Sequence, residues 1–270
     1  MLAIAIALLA SAAIPRMDAQ STQLDQGYRA MYDLDFAGAH RAFRDWERAH
    51  PRDPMGPVSD AAAYLFSEFD RLRVLQSEFF TDDQGFFARE RALNPDAALK
   101  REFEETLSRG QKLADGILAQ SPQDENAMLA SVLRMGLHAD YLAMIEKRNF
   151  AALAEIKQSR GVAEQLLEQH PQCYDAYLAV GVENYLLSLK PAPIRWLLRV
   201  GGAQTDRQTG IERLRLTADK GHYLMPYARL LLAVAALRDK DTATARRTLV
   251  WLSSEYPHNK LYREELTKIK

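Results

Sequence analysis

The chain has 270 residues, 47% of them hydrophobic, with a formal net charge of −1. That is enough apolar material for a sizeable core and excludes a disordered chain, and the even charge balance gives no pull toward nucleic acid. A single cysteine, Cys173, rules out an internal disulfide framework or a cysteine-based metal cluster, and reads as a small buried apolar group at a helix start.

Every residue from Leu2 to Ile14 except Ser11 is apolar, a run too short for a comfortable span but suited to the core of a signal peptide. Small residues follow around Met17-Asp18-Ala19, so residues 1–19 are expected to be an export signal or N-terminal anchor, with the functional domain over 20–270 and a periplasmic or envelope location. The expected positively charged start is missing, since Arg16 lies on the wrong side of the run.

The pattern predicts helices over Thr22–Leu34 and Asp35–His50, where Gly27, Ala30, Ala39 and Ala42 let two backbones close and Tyr28, Phe36, Phe43 and Trp46 fill the space between them. Pro51, Pro54 and Pro57 form a stiff connector to a helix capped by Ser59 or Asp60 and running to about Phe80. The stretch Thr81–Pro95 breaks the pattern and holds Phe86 and Phe87 beside Phe79 and Phe80, which read as pinning an insertion onto its neighbours. Long helices follow over Asp96–Gln120 and Gln123–Lys147, the second carrying Met128, Met135 and Met144 as core fillers. A further helix runs from Asn149-Phe150, placed at the turn that Asp35-Phe36 and Asp241-Thr242 occupy elsewhere, to His170. Pro171 ends it, and Tyr177, Val180 and Gly181 open the next. Between Leu187 and Thr209 the pattern is interrupted by Pro191, Pro193 and Gly201-Gly202. Helix returns over Gly210–Lys220, stops at Gly221, and is followed by the apolar Tyr227–Leu237 and a final pair of helices. No strand or hairpin signal occurs, so the expected class is all-α.

Pro51, Pro122, Pro171 and Pro257 each close an amphipathic run, and a unit repeated along a chain is the signature of a solenoid. Gly27, Ala39, Phe43 and Pro51 fall on the small, small, large and proline positions of a 34-residue helix hairpin, as do Ala233, Ala245, Leu249 and Pro257. Counting forward from Pro171, Tyr177 and Gly181 take the opening large and small positions. On these residues about half of the chain resembles the tetratricopeptide repeat, which implies a right-handed α-solenoid of stacked antiparallel helix hairpins that serves as a protein-binding scaffold. The proline spacings, Pro51 to Pro122, Pro122 to Pro171 and Pro171 to Pro257, are not multiples of 34, so the repeats are irregular.

The chain lacks H-E-x-x-H, G-x-S-x-G, C-x-x-C and a phosphate-cradling glycine loop, so neither catalytic nor metal residues nor a cofactor are assigned. His138 and Asp140, two apart, point from different helix faces and do not make a metal pair. Glu183-Asn184-Tyr185 place a carboxylate, an amide and a phenol on a helix leading into the irregular segment, and either pair internally or line a surface. Lys190–Val250 holds twelve basic and five acidic residues, a surplus of seven that leaves the remainder at −8. Arg195, Trp196 and Arg199 there form a candidate contact for an acidic protein or an anionic membrane surface, beside the blander reading of solvated helix faces. The leading expectation is a non-enzymatic scaffold binding an unidentified protein or peptide. A helical solenoid with a small-molecule or lipid pocket near residues 183–209 is the alternative, and an enzyme with an unfamiliar site is third. An enclosed pocket would favour the second reading and an open groove the first.

Overall fold

The structure, a computed structural model, describes residues 22–75, 93–188 and 205–269. Among these residues there are eleven α-helices and no strand: α1 (Gln23–Tyr32), α2 (Phe36–Ala49), α3 (Met55–Leu72), α4 (Ala97–Leu118), α5 (Glu125–Asp140), α6 (Asn149–Gln169), α7 (Tyr177–Ser188), α8 (Arg207–Lys220), α9 (Met225–Arg238), α10 (Thr242–Glu255) and α11 (Lys260–Lys268). Each packs against the next, giving five antiparallel hairpins and a terminal helix. A π-helical turn, Tyr141–Ile145, extends α5, and a 3-10 turn, Tyr174–Ala176, leads into α7.

Repetition is visible in the backbone. The residue before the closing proline has nearly the same conformation at His50 (φ −130°, ψ 66°), His170 (φ −125°, ψ 69°) and Tyr256 (φ −127°, ψ 72°). Each lies outside the α region, as the following proline ring requires. Inside three hairpins a left-handed residue, Leu34 (φ 66°), Lys147 (φ 59°) or Lys240 (φ 61°), turns the chain. Asp35 and Asp241 then cap the second helix by accepting from Gly38 N and Thr244 N. The third hairpin differs from the sequence alignment by one residue. Its cap position is Arg148, not Asn149, and the π turn before it makes Arg148 N reach back six residues to the Leu142 carbonyl where Asp35 and Asp241 reach back five.

The close approaches fall where small residues predict them. A Cβ placed on Gly27 would sit 2.3 Å from the buried ring of Phe43, and one on Gly181 would meet Leu214 and the Gly210 carbonyl at 3.0 and 3.1 Å. Leu214 therefore stands to Gly181 as Phe43 stands to Gly27, and α7 and α8 pair as the fourth hairpin. Pro171 to Pro257 spans two hairpins because α8 ends at Gly221 rather than at a proline. Two boundaries move. Helix α3 starts at Met55, since Pro57 in its first turn needs no donor, and stops at Leu72, where Arg73 turns left-handed (φ 53°). Gly221 is extended (φ −60°, ψ 149°), not left-handed, and its smallness matters because a Cβ would lie 2.8 Å from Asp175 Oδ1.

The array also closes on itself, beyond the neighbour-to-neighbour packing of an open stack. The rings of Tyr28 and Tyr223 stack at 4.6 Å, Tyr32 Oη donates to the Tyr223 carbonyl at 3.1 Å, and Asn259 Nδ2 donates to the Tyr32 carbonyl at 2.8 Å. Ion pairs Asp33–His258 (2.6 Å) and Arg73–Glu264 (2.6 Å) flank them. One buried apolar cluster consequently runs from Leu24 and Phe43 to Leu249, Tyr262 and Ile269. Tyr28 and Tyr32 bury large rings here while their hydroxyls find Ser59 and the Tyr223 carbonyl, the second of which a free solenoid end could not supply.

Candidate functional site

Helices α1, α3, α5, α7 and α9, with part of α6, line a partly open cavity of about 120 Å3. Met31 from α1, Phe66 from α3, Leu133 and Leu137 from α5, Val182 from α7 and Leu231 from α9 make most of its wall. Gly136 lies on this wall, and a Cβ there would meet nothing within 4 Å, so the helix leaves real space at this point.

Six polar side chains interrupt the apolar lining: Tyr28, Tyr32, Asp140, Ser159, Asp175 and Tyr227. Four are engaged within the fold. Tyr28 Oη accepts from Ser59 at 3.0 Å, Tyr32 is bonded as described, and Ser159 Oγ donates to the Val132 carbonyl at 3.0 Å. The Asp175 carboxylate accepts the N–H groups of His222, Tyr223 and Leu224, each at 3.0 Å, and so ties the start of α7 to the loop after α8. Burial raises the pKa of Asp175, and those N–H bonds oppose the rise.

Asp140 is different. It is the last residue of α5, directly before the π turn, and its one hydrogen bond among the described residues comes from Tyr227 Oη at a long 3.4 Å. Enclosure by apolar walls pushes its carboxyl up to about 7, against which the Tyr227 bond acts weakly. Burial, with the Asp140 charge behind it, raises the Tyr227 phenol as well. Among the described residues no lysine, arginine or histidine lines the cavity. The nearest cations in sequence, Arg134 and His138, turn to Glu155 of α6 at 3.4 and 3.0 Å.

The residues singled out from sequence stand elsewhere. Glu183 is 0% exposed and pairs with Arg160 of α6 at 2.6 Å. Asn184 donates to the Val180 carbonyl at 3.1 Å and accepts from Asp206 N at 3.1 Å, while Tyr185 is buried with Leu214 and Leu231, with Arg207 over its ring. These three side chains hold α6, α7 and α8 together, while their neighbours Val182 and Leu186 reach the cavity. Arg195, Trp196 and Arg199 lie outside the described residues, as do the four phenylalanines from Phe79 to Phe87. Of the basic surplus, Arg207 pairs with Asp239 at 2.5 Å, Arg229 lies 3.8 Å from the Trp251 ring centre and Arg246 donates to the Ile269 carbonyl, so these arginines brace the last hairpins. Cys173 is buried, with its thiol pushed up to about 12 by burial and then by Glu125. Met128, Met135 and Met144 are core residues, as expected.

The signal for the cavity was present but weak: Asp140 was weighed only as a partner of His138, and Tyr227 only as the start of an apolar helix. Among the described residues there is no group of three or more potential metal ligands, and no helix is long and apolar enough to cross a membrane. The chain matches no protein-family model, no curated protein and no solved structure.

Proposed function

We propose that the chain is a non-enzymatic, exported binding protein of tetratricopeptide-repeat type that takes an apolar or amphipathic small molecule, such as a lipid tail, into the space between its odd-numbered helices. The observation that carries this reading is the cavity itself, concave, apolar and walled mainly by α1, α3, α5, α7 and α9, one helix from each hairpin, the arrangement ligand sites favour. The repeat assignment is supported by the equivalent small-to-large contacts at Gly27–Phe43 and Gly181–Leu214 and by the recurring backbone conformation before Pro51, Pro171 and Pro257. Fluorescence of an apolar naphthylamine probe is the direct test. The parent protein is expected to take up the probe, and Gly136→Leu, whose Cβ enters open space, to lose uptake while keeping its fold. Absence of uptake by the parent, or full uptake by a folded Gly136→Leu, would sink the proposal.

A second reading, docking of a protein partner, starts from Phe150 in the first turn of α6, a residue 94% exposed. A partner crosslinked to the parent and lost from Phe150→Ala supports it, and equal crosslinking counts against it.

A further inference from the structure

The cavity wall carries one anionic group, Asp140, beside which the described residues place no cation, and the following rests on the cavity being a ligand site. The geometry points to Asp140, assisted by Tyr227, as the head-group anchor for an amphiphile bearing a protonated amine, with the ligand's tail lying along Leu133, Leu137, Val182 and Leu231. Four polar groups in the wall are already engaged, so a polar ligand atom would turn toward this remaining pair. The charge argument selects the head group. A carboxylate ligand would be repelled, and a hydroxyl would satisfy a hydrogen bond while leaving the aspartate without a counter-charge. An ammonium supplies both.

The groups facing Asp140 leave little to compete. Helix α9 brings the Tyr227 phenol, α1 brings Tyr28 and Tyr32, and the turn before α7 brings Asp175, whose oxygens are taken up by backbone N–H groups. Helices α3 and α6 contribute Ala62, Phe66, Ile156 and Ser159, none of them charged. On its own element Tyr141 packs into a separate cluster against Phe103, and Arg134 and His138 are held by Glu155. The π turn that begins at the next residue is an independent mark, since single π turns inside helices recur at functional sites. Because enclosure lifts the Asp140 carboxyl to about 7, an ammonium in the cavity would also draw it into the ionised form.

Calorimetric titration of the full chain with octylammonium, octanol and octanoate, which share one tail, separates the anchor from the cavity. At about pH 8 the parent is expected to bind octylammonium about tenfold or more tightly than octanol, with octanoate weakest. At about pH 5.5 that preference should shrink, because Asp140 then carries a proton while the amine stays charged. Asp140→Asn should bring amine and alcohol within about twofold of one another by weakening the amine, with the helical circular dichroism of the parent retained. An absent amine preference in the parent, or one that survives in Asp140→Asn, overturns the anchor and leaves the cavity reading standing. If the parent takes up neither octanol nor octylammonium, the cavity reading falls and the anchor falls with it.

Discussion

Two aspartates stand in the wall of one cavity and differ in what the fold gives them. Asp175 receives three backbone N–H groups, whereas Asp140 receives one long bond from a phenol. The first is a structural bolt, converting a buried charge into a link between two hairpins. The second is left with capacity that the described residues do not use. Burial alone therefore does not separate architecture from function; the partner account does.

The sharpest way to break this comparison is Asp175→Ala. It strips acceptors from three N–H groups at once and should cost about 3 kcal/mol or more in denaturant unfolding, since each orphaned buried donor costs on the order of 1–3 kcal/mol. A loss below about 1 kcal/mol would place Asp175 among ordinary surface acids. Next in size is Gly181→Leu, which drives a side chain into Leu214 and the Gly210 backbone and should cost roughly 2–3 kcal/mol. Thermal melts that left it unchanged would put the small-residue contact elsewhere.

Asp140→Asn should act in the opposite direction and depend on pH. In the parent the folded carboxyl holds its proton up to about 7 while the unfolded one releases it near 4, so the unfolded state binds fewer protons between those values and stability falls as pH rises. The amide does not titrate. Its advantage over the parent should thus be near zero at about pH 4 and grow at about pH 8 to at most about 4 kcal/mol, and on the order of 2 once the half-buried position of Asp140 is allowed for, read from unfolding curves at both. A constant difference across that range would mean Asp140 titrates like an exposed acid. The smallest expected effect is Gly136→Leu, stabilising by about 0.5–1 kcal/mol because a better helix former enters open space. Together with lost probe uptake, that gain would show the space to be functional room, not a requirement of folding.

Much of the fold was legible because helix periodicity, capping aspartates and closing prolines are local signals. Asp35, Asp96, Asp124 and Asp241 all cap helices near where the pattern predicts a start. The site was not legible in the same way. Glu183 and Asn184 drew notice as polar residues in an apolar helix, but their partners Arg160 and Asp206 lie on other elements, and nothing local distinguishes a paired group from an open one. Asp140 owes its setting to α9, which brings Tyr227 from 87 residues away. The closure of the first hairpin onto the last was equally hidden, because it rests on tyrosines and an asparagine scattered over both ends of the chain.

That closure changes how the chain must reach its native state. An open array of hairpins can nucleate anywhere and grow by one unit at a time, with stability summing over neighbours. Here the pairing of Tyr32 with Asn259 spans 227 residues, so the entropy of joining the ends is recovered only in the last step. During synthesis the first hairpin emerges with its aromatic face uncovered and waits for α11 to be made. Removing α11 would therefore expose α1 as well, turning a loss at one terminus into the unravelling of both.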